Sequence, residues 1–296
     1  MNKNKLYLLC LCLLGNILTL QSQSILPQSV NAAGGSYSAG GYSIDFSSGE
    51  TVIATVSSPN NIITQGFHQP FTTSTGCAVK IWLQGPFNGT EMTTTLQTGS
   101  NLIPLAQPFN TLPWNYSGGE SVAAMPVNAT DWVLLELRTT GGFTGSDLVA
   151  QKAALLYKDG SIHDISGNAA VEFTNVASGN YYIAVKPRGN LAVLSANLVV
   201  LPNTGTPYDF TTGINKAFGS QQQVLVGGQA CLRAGDNNND GKITVADFNR
   251  YQTELIGGSL NIYKTSDLNK DRNITIADFN LYLPNSGIIG AAAINY

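Results

Sequence analysis

The sequence predicts a mainly β fold, an antiparallel β-sandwich of immunoglobulin-like or jelly-roll-like type, followed by a small α-helical module. Two observations predict the sandwich. Short strand-like segments recur at short intervals, and Gly, Asn and Asp turn signals separate them without a long helical period. A third observation, a pair of closely similar stretches near the C-terminus, predicts the helical module.

Residues 76–205 are assigned to the sandwich, because apolar segments of strand length are concentrated there. Asp159-Gly160 and Ser178-Gly179-Asn180 are turn signals between such segments. The predicted strands are 78–85, 132–138, 152–157, 170–173, 181–186, 191–195 and 198–201.

Residues 1–24 have the pattern of a secretory signal peptide. Lys3 and Lys5 give it a positive start, residues 6–20 form an apolar run, and Ser22 and Ser24 suit the cleavage site. The apolar run is short for a membrane-spanning helix, and a membrane anchor is the alternative interpretation. We therefore expect a secreted protein, extracellular or at the cell surface, with no membrane span after signal cleavage.

Two further segments flank the sandwich. Residues 25–75 predict an N-terminal β-hairpin or arm, because the Gly-rich run 34–41 precedes alternating segments at 42–46 and 51–56. Residues 206–230 are polar and rich in Gln, which predicts a connector to the C-terminal module at 231–296.

The charge balance and the cysteines narrow the class of protein. The formal net charge is −3 and the chain has no basic run, which argues against nucleic acid as a partner. Cys77 and Cys231 remain after signal cleavage. Export permits a disulfide between them, but their spacing is equally compatible with two buried thiols.

Two stretches near the C-terminus share one pattern. The first reads DNNNDGKITVADFN from Asp236, and the second reads DLNKDRNITIADFN from Asp267. Each places oxygen-bearing side chains at loop positions 1, 3, 5 and 12 and offers a main-chain carbonyl at position 7, which is the ligand spacing of an EF-hand-type calcium loop. The candidate ligands are Asp236, Asn238, Asp240, Lys242 and Asp247 in the first loop, and Asp267, Asn269, Asp271, Asn273 and Asp278 in the second.

The chemistry of Ca²⁺ explains this spacing. The ion takes several oxygen ligands at short range, so a tight loop must wrap around it. Gly241 permits the sharp turn at position 6, and Asp247 lies in the first turn of the next helix, where a carboxylate is favourable. Ile243 is expected to pair its backbone with the partner loop and to bury its side chain. Asx-rich turns alone are the alternative, but they do not require Asp at position 12 twice.

These loops, each ending in Asp and followed by a short helix, resemble the type I dockerin module over about residues 231–289. The resemblance implies a calcium-folded module that binds a cohesin-like or other protein partner. It also implies that loop positions 10 and 11 contact the partner. Those positions are Val245-Ala246 and Ile276-Ala277, which are apolar where many dockerins carry hydroxyl or charged residues.

The second loop departs from the pattern at position 6, where Arg272 replaces the glycine of the first loop. A side chain there must adopt a conformation that glycine takes freely, at a cost of about 1 kcal/mol. We therefore predict two Ca²⁺ sites, the second weaker than the first.

No catalytic set is evident in the sequence. His68 and His163 are far apart and lack a nucleophile motif, and nothing pairs two carboxylates. Asp131 and Glu136 lie towards opposite ends of one predicted strand, which favours surface or turn roles. Exposed aromatic rings, with Trp114 as the best loop candidate, offer a glycan platform, although core packing explains most of them.

The first hypothesis is therefore a secreted, non-catalytic calcium-binding protein whose dockerin-like module mediates attachment to a protein or stabilises the sandwich. The alternative is a component of an extracellular polysaccharide-degradation system, associated with a glycoside hydrolase or binding carbohydrate. The middle of the chain, marked by GPFNGTEM from Gly85 and DWVLLELR from Asp131, also resembles a recurrent architecture of secreted Bacteroidetes proteins.

Overall fold

The computed structural model describes residues 73–139, 147–219 and 221–290 throughout, and four strands among the preceding residues by their backbone. The chain divides into two compact units, Met1–Phe71 and Thr72–Tyr296. The predicted signal peptide, 1–24, lies outside the described residues, as does most of the predicted arm between its strands.

The first unit contains two antiparallel hairpins. Strand β1 (Ala33–Ala39) pairs with β2 (Tyr42–Ser48), and β3 (Thr55–Ser58) pairs with β4 (Asn61–Thr64). The alternating sequence at 42–46 lies within β2, where period-2 alternation favours an extended backbone.

The second unit contains the remaining strands and both α-helices. Its strands are β5 (Ser74–Cys77), β6 (Val79–Lys80), β7 (Ala129–Arg138), β8 (Leu148–Tyr157), β9 (Ile162–His163), β10 (Val171–Thr174), β11 (Gly179–Pro187), β12 (Gly189–Asn190), β13 (Val193–Leu194), β14 (Val199–Leu201), β15 (Tyr208–Asp209), β16 (Gln223–Val226), β17 (Gln229–Leu232) and β18 (Ala234–Asp236). Its helices are α1 (Val245–Ile256) and α2 (Ile276–Tyr282). Short 3-10 turns lie at Thr95–Gln97, Phe210–Thr212, Ile214–Lys216 and Leu283–Asn285.

The central sheet has the order β13-β11-β7-β8-β9, and β14 pairs with the start of β11. Its strands are antiparallel, which confirms the predicted mainly β, antiparallel class. The facing layer consists of two-stranded pieces, β5–β10, β6–β15 and β16–β17. The pair β6–β15 is parallel, which the sequence did not predict.

Strand β7 is buried along all ten of its residues. On one face Val133, Leu135 and Leu137 join the large core between the central sheet and the facing layer. On the other face Trp132 and Leu134 pack under the segment from Leu96 to Met125. Burial on both faces explains why this strand reads as an apolar run and not as an alternation.

The C-terminal helices continue from the strands without an intervening linker. The main-chain N–H of Leu232 in β17 donates to the carbonyl of Trp82 at 2.7 Å, and β18 pairs with β12. Leu191 and Ala234 pack with Ile243, Leu268 and Tyr282 of the helical part in one apolar cluster. Strand pairing therefore runs across residue 230, where the sequence placed the end of a connector.

Both cysteines in the described part of the chain are free. Cys77 and Cys231 are fully buried and form no disulfide. Burial raises the pKa of each thiol to about 12. Both thiols therefore stay protonated and unreactive at neutral pH.

The described part of the chain has no helix that combines the length and the apolar character needed to cross a membrane.

Gly85 tests the contact between the sheet and the helical part. A Cβ at this position would overlap the carbonyl oxygen of Leu268, whereas a Cβ at Gly119 would meet no atom within 4 Å. We expect Gly85→Ala to lower the free energy of unfolding by about 1–3 kcal/mol, because the backbone must shift. Gly119→Ala is the matched control and should change it by less than about 0.5 kcal/mol. Denaturant titration measures both, and equal stability of the two variants would contradict the packing.

Candidate metal centre

The first loop (residues 236–247) and the second loop (residues 267–278) end in the same kind of helix start. Thr244 caps α1, and its side chain accepts a hydrogen bond from a main-chain N–H two residues later at 3.2 Å. Asp247 accepts from the main-chain N–H of Thr244 at 2.8 Å. Thr275 and Asp278 repeat this capping box in α2. The sequence Thr-x-x-Asp therefore places each position-12 carboxylate at a helix N-terminus.

The position-1 carboxylates organise both loops. Asp236 accepts hydrogen bonds from the main-chain N–H groups of positions 5 and 6, each at 3.0 Å. Asp267 accepts the equivalent pair at 3.1 and 3.0 Å. Each aspartate thereby turns its loop back towards its own side chain.

The remaining side-chain contacts are also the same in both loops. Asn238 and Asn269, at position 3, each accept from the position-5 main-chain N–H at 3.0 Å. Their amide groups donate to the position-5 carboxylates of Asp240 and Asp271 at 3.0 and 2.9 Å. Positions 1, 3, 5 and 12 therefore lie in equivalent geometry in both loops, as the spacing predicts.

Position 6 has a left-handed backbone in both loops. Its φ is +83° at Gly241 and +82° at Arg272. The conformation expected of Arg272 is therefore present, and it is one that a residue with a side chain adopts at a cost.

The position-7 residues offer main-chain oxygens. Within the described part of the chain, no hydrogen bond reaches the carbonyl oxygen of Lys242 or of Asn273. Each carbonyl is thus free to act as a ligand, as calcium loops of this spacing require.

The carboxyl groups of each loop are buried close to one another. Asp236, Asp247 and Asp278 are 0% exposed. Burial raises the pKa of Asp236 well above its ordinary value, and the neighbouring Asp247 and Asp240 raise it further. Burial also raises the pKa of Asp267 to about 7, although Lys270 opposes the shift. Among the described residues, no Lys or Arg forms an ion pair with a carboxylate of either loop.

These groups fit Ca²⁺, because carboxylate, amide and carbonyl oxygens are hard ligands. A bound cation would also favour the ionised form of carboxyl groups that burial and their neighbours otherwise keep at a raised pKa. No three His, Cys, Asp or Glu side chains within the described ranges are already close enough to form a metal site. The candidate ligands of each loop are three carboxylates, one side-chain amide oxygen and one main-chain carbonyl oxygen. Closure of these oxygens around an ion therefore stays a prediction.

Each loop is closed by the segment that follows the helix of the other loop. After α2, Ile288 accepts from the main-chain N–H of Ile243 in the first loop at 2.8 Å. After α1, Ser259 accepts from the main-chain N–H of Ile274 in the second loop at 2.7 Å. The expectation that Ile243 pairs with the partner loop itself is therefore wrong. Its side chain is buried, as expected.

Two tyrosines reinforce this exchange. Tyr251 in α1 donates its hydroxyl to the carbonyl of Thr275 at 3.0 Å, and Tyr282 in α2 donates to the carbonyl of Thr244 at 2.9 Å. Between the helices, Phe248 and Phe279 lie edge to face with ring centroids 5.7 Å apart. The two halves of the module therefore support each other through equivalent contacts.

Position 4 of each loop docks against the strand segment at Arg188 and Gly189. Asn239 and Lys270 have φ of +60° and +58°, and both side chains are buried. Asn239 accepts from the main-chain N–H of Gly189 at 2.8 Å. The ammonium of Lys270 lies 3.4 Å from the carbonyl of Arg188, to which it donates. Position 4 is not a calcium ligand, and no sequence pattern predicts this role.

Asp131 is the centre of a buried polar group, the Asp131 cluster, formed with Arg188, Tyr263 and Lys270. Its carboxylate lies 3.2 Å from the Lys270 ammonium and 3.4 Å from the Arg188 guanidinium. Tyr263 donates its hydroxyl to it at 2.6 Å. Burial favours a higher pKa for Asp131, but Lys270, Arg188 and the hydrogen bonds from Tyr263 and the main-chain N–H of Trp132 together lower it.

A second buried ion cluster lies further along β7. Glu136 contacts Lys186 at 2.7 Å and Arg138 at 2.6 Å, and Arg138 also contacts Asp147 at 3.0 Å. Burial opposes ionisation of Glu136, but Lys186 and Arg138 lower its pKa. The expected surface or turn roles of Asp131 and Glu136 are therefore wrong. A lowered pKa also makes either carboxyl a poor general acid.

A contact between a serine and a histidine occurs at the turn between β8 and β9. Ser161 lies 2.8 Å from Nε2 of His163 and 2.5 Å from Asp159. Because the hydroxyl also donates to Asp159, it is not reserved for the imidazole as an activated nucleophile would be. Asp159 and Ser161 lie in the turn and only His163 lies in β9, so a strand pattern could not predict this contact.

The three tryptophan side chains pack in or against the two apolar cores, as expected from core packing. Trp82 and Trp132 are 5% and 0% exposed and belong to the two cores beside β7. Trp114 is partly buried and lies edge to face with Phe109, with centroids 5.1 Å apart. Of the three tryptophans, only Trp114 lines a cavity described below.

No family model and no curated protein matches the chain. One solved structure is similar at 14% identity, with a TM-score of 0.31, over 75% of this chain and 98% of that chain. It is an N-terminal interface mutant of a type II cohesin–X-dockerin complex from Acetivibrio cellulolyticus.

Lys270 tests the Asp131 cluster. We expect Lys270→Met to lower the free energy of unfolding by about 3 kcal/mol in calcium buffer, because it leaves a buried carboxylate with one fewer counter-charge. Lys158→Met is the control, since Lys158 pairs with Glu91 on the surface, with side chains 39% and 45% exposed. That change should cost less than about 1 kcal/mol.

The pairing is tested directly by a double-mutant cycle with Asp131→Asn. A coupling free energy near zero between positions 131 and 270 would show that the two side chains do not stabilise each other.

Proposed function

We propose that the chain is a secreted calcium-binding protein in which a β-sandwich carries a dockerin-like module for attachment to a cohesin-like or other protein partner. One observation carries the proposal. The two loops have matching hydrogen bonds at positions 1, 3, 5 and 12, matching φ at positions 4 and 6, and matching helix caps. Turn chemistry alone gives no reason for so complete a repeat.

In this proposal each loop holds one Ca²⁺ ion. The ligands would be Asp236, Asn238, Asp240, the carbonyl of Lys242 and Asp247 in the first loop, and Asp267, Asn269, Asp271, the carbonyl of Asn273 and Asp278 in the second. Calcium supplies positive charge that compensates carboxylates which otherwise repel one another. The chain itself contributes the turn, through the position-1 aspartates, and the helix starts, through Thr244 and Thr275. Binding free energy then adds to folding free energy.

The attachment surface would be formed by positions 10 and 11 of the two loops. Val245 and Ile276, the first residues of α1 and α2, are 69% and 68% exposed, and Ala246 and Ala277 beside them are exposed too. The two apolar pairs occupy equivalent places in the two halves of the module. A partner of matching apolar character would bury them, in contrast to the polar contacts of many dockerins.

Calcium titration tests the metal sites. We expect isothermal titration of the chelator-treated chain to give two Ca²⁺ ions, the weaker one abolished by Asp267→Ala and the tighter one by Asp236→Ala. Arg272→Gly should tighten the weaker site about fivefold, since about 1 kcal/mol of backbone strain is removed. Arg272→Ala removes the side chain but keeps the strain, so it should not tighten the site. Equal affinities in the unmodified chain would contradict the assignment.

Partner binding tests the attachment surface. We expect the chain to bind at least one member of a panel of purified cohesin domains in calcium and to lose binding in chelator. Val245→Asp combined with Ile276→Asp should reduce affinity at least tenfold without loss of helix, because Asp is favourable in a first helical turn. Val200→Asp is the control, since Val200 in β14 is 70% exposed. Unchanged binding by the double variant would contradict this surface.

A further inference from the structure

A cavity of about 540 Å³ lies between the segment from Pro104 to Trp114 and the first loop. On the loop side its lining includes Asn238 and Asn239. The apolar pairs at 245–246 and 276–277 are not among its described lining residues, so it is separate from the attachment surface. Its volume is within the range that accommodates small ligands.

Two arginines give this cavity a positive lining. Among the described residues that line it, Arg188 and Arg250 are the charged ones, and neither Asp nor Glu is present. A concave surface with charges of one sign attracts ligands of the opposite sign. The ligand that suits this cavity is therefore negatively charged.

The charge of Arg188 is only partly compensated within the protein. Its guanidinium lies 3.4 Å from Asp131, whereas the ammonium of Lys270 lies 3.2 Å and the hydroxyl of Tyr263 2.6 Å from the same carboxylate. Three groups thus share one carboxylate, and Arg188 has the longest of the three contacts. Its side chain is 6% exposed, and it stacks on the ring of Tyr263 at 3.7 Å. The guanidinium is therefore held in a fixed plane, with positive charge left for a further anion.

Arg250 offers donors that no other side chain uses. Its Nε donates to Glu254 at 2.6 Å, and within the described residues neither terminal nitrogen of the guanidinium forms a hydrogen bond. The side chain is 54% exposed. Both terminal nitrogens are therefore accessible to a ligand in the cavity.

The other polar side chains of the lining are mostly engaged. Gln107 accepts from a main-chain N–H at 2.6 Å and donates to a main-chain carbonyl at 2.7 Å. Asn238 accepts from and donates to loop position 5, each at 3.0 Å. Pro104, Leu112 and Trp114 add apolar surface. Outside the two arginines, the lining therefore suits an apolar body better than one with many hydroxyl groups.

The arginines favour a carboxylate over a phosphate. A guanidinium matches the two oxygens of a carboxylate with two parallel N–H groups. Each of the two arginines already faces one carboxylate of the protein. The positive charge that remains thus suits a single negative charge better than the nearly double charge of a phosphate.

We propose that this cavity binds a small organic monocarboxylate with an apolar body. Its carboxylate is held by Arg188 and Arg250, and its apolar part lies against Leu112 and Trp114. Neither calcium binding nor protein attachment uses these side chains, so the cavity is a second ligand site of its own.

The test uses the full chain in calcium buffer and three probes, phenylacetate, hexanoate and indole-3-acetate, in ligand-observed NMR followed by calorimetric titration. We expect at least one probe to bind at millimolar concentration. Its uncharged amide should bind at least about tenfold more weakly, because it has no charge for the guanidinium groups.

Variants of Arg250 test the role of the guanidinium. Arg250→Gln should weaken binding about tenfold, and Arg250→Lys, which keeps the charge but not the paired donors, should weaken it less. Lys158→Gln is the control, because Lys158 is an exposed cation that pairs with Glu91 and does not line the cavity. It should bind like the unmodified chain.

A second pair of variants leaves both arginines in place. Thr111→Glu adds a carboxylate at an exposed lining position and should weaken binding at least about tenfold by repulsion. Thr174→Glu, at an exposed threonine in β10, should leave binding unchanged. Thermal unfolding of each variant shows whether it is folded.

Several results would overturn the proposal. They are the absence of binding by all three probes at millimolar concentration, equal binding of a probe and its amide, tighter binding of inorganic phosphate than of any probe, and unchanged binding by Arg250→Gln or by Thr111→Glu. Because calcium titration and cohesin binding are measured separately, failure here leaves the proposed function standing, and failure there leaves the cavity to be judged on its own.

Discussion

The carboxylate of Asp131 is the constraint on which the arrangement of the second unit depends. It lies on the central strand β7, and it is almost completely buried. Removing a carboxylate from water is costly unless charges and hydrogen bonds compensate it. Arg188, next to β11, supplies one partner, while Tyr263 and Lys270 supply two from the helical part. The charge of Asp131 in the sheet is therefore fully compensated only when the second loop, which carries Lys270, packs against the sheet.

The docking in turn shapes the loops. Position 4 must turn its side chain away from the centre of its loop, and both Asn239 and Lys270 do so from a left-handed backbone. Asn239 accepts a hydrogen bond from the main-chain N–H of Gly189, and Lys270 compensates the charge of Asp131. The equivalent positions therefore do the same structural task with different chemistry. Positions 1, 3, 5 and 12 remain free to face the interior of each loop.

Much of this could be predicted from local sequence, and the rest could not. Fixed spacing predicted both loops, because the hydrogen bonds inside each loop link residues at most ten positions apart. The position-12 aspartates predicted that a helix follows each loop, and apolar runs predicted β7, β8 and β11. The burial of Asp131 escaped prediction because its partner Tyr263 is 132 residues away. The pairing of each loop with the segment that follows the other loop's helix could not be predicted either, because Ile288 and Ser259 carry no distinctive sequence signal.

The buried ammonium of Lys270 has a consequence for grafting. A C-terminal cassette beginning near residue 231 would carry its cation to any new carrier without the anion that neutralises it. The host would need an acidic group at the matching place, or the cassette would need a neutral residue at 270. The C-terminal module therefore cannot be transferred by itself, because Asp131 of β7 supplies the counter-charge of its buried Lys270.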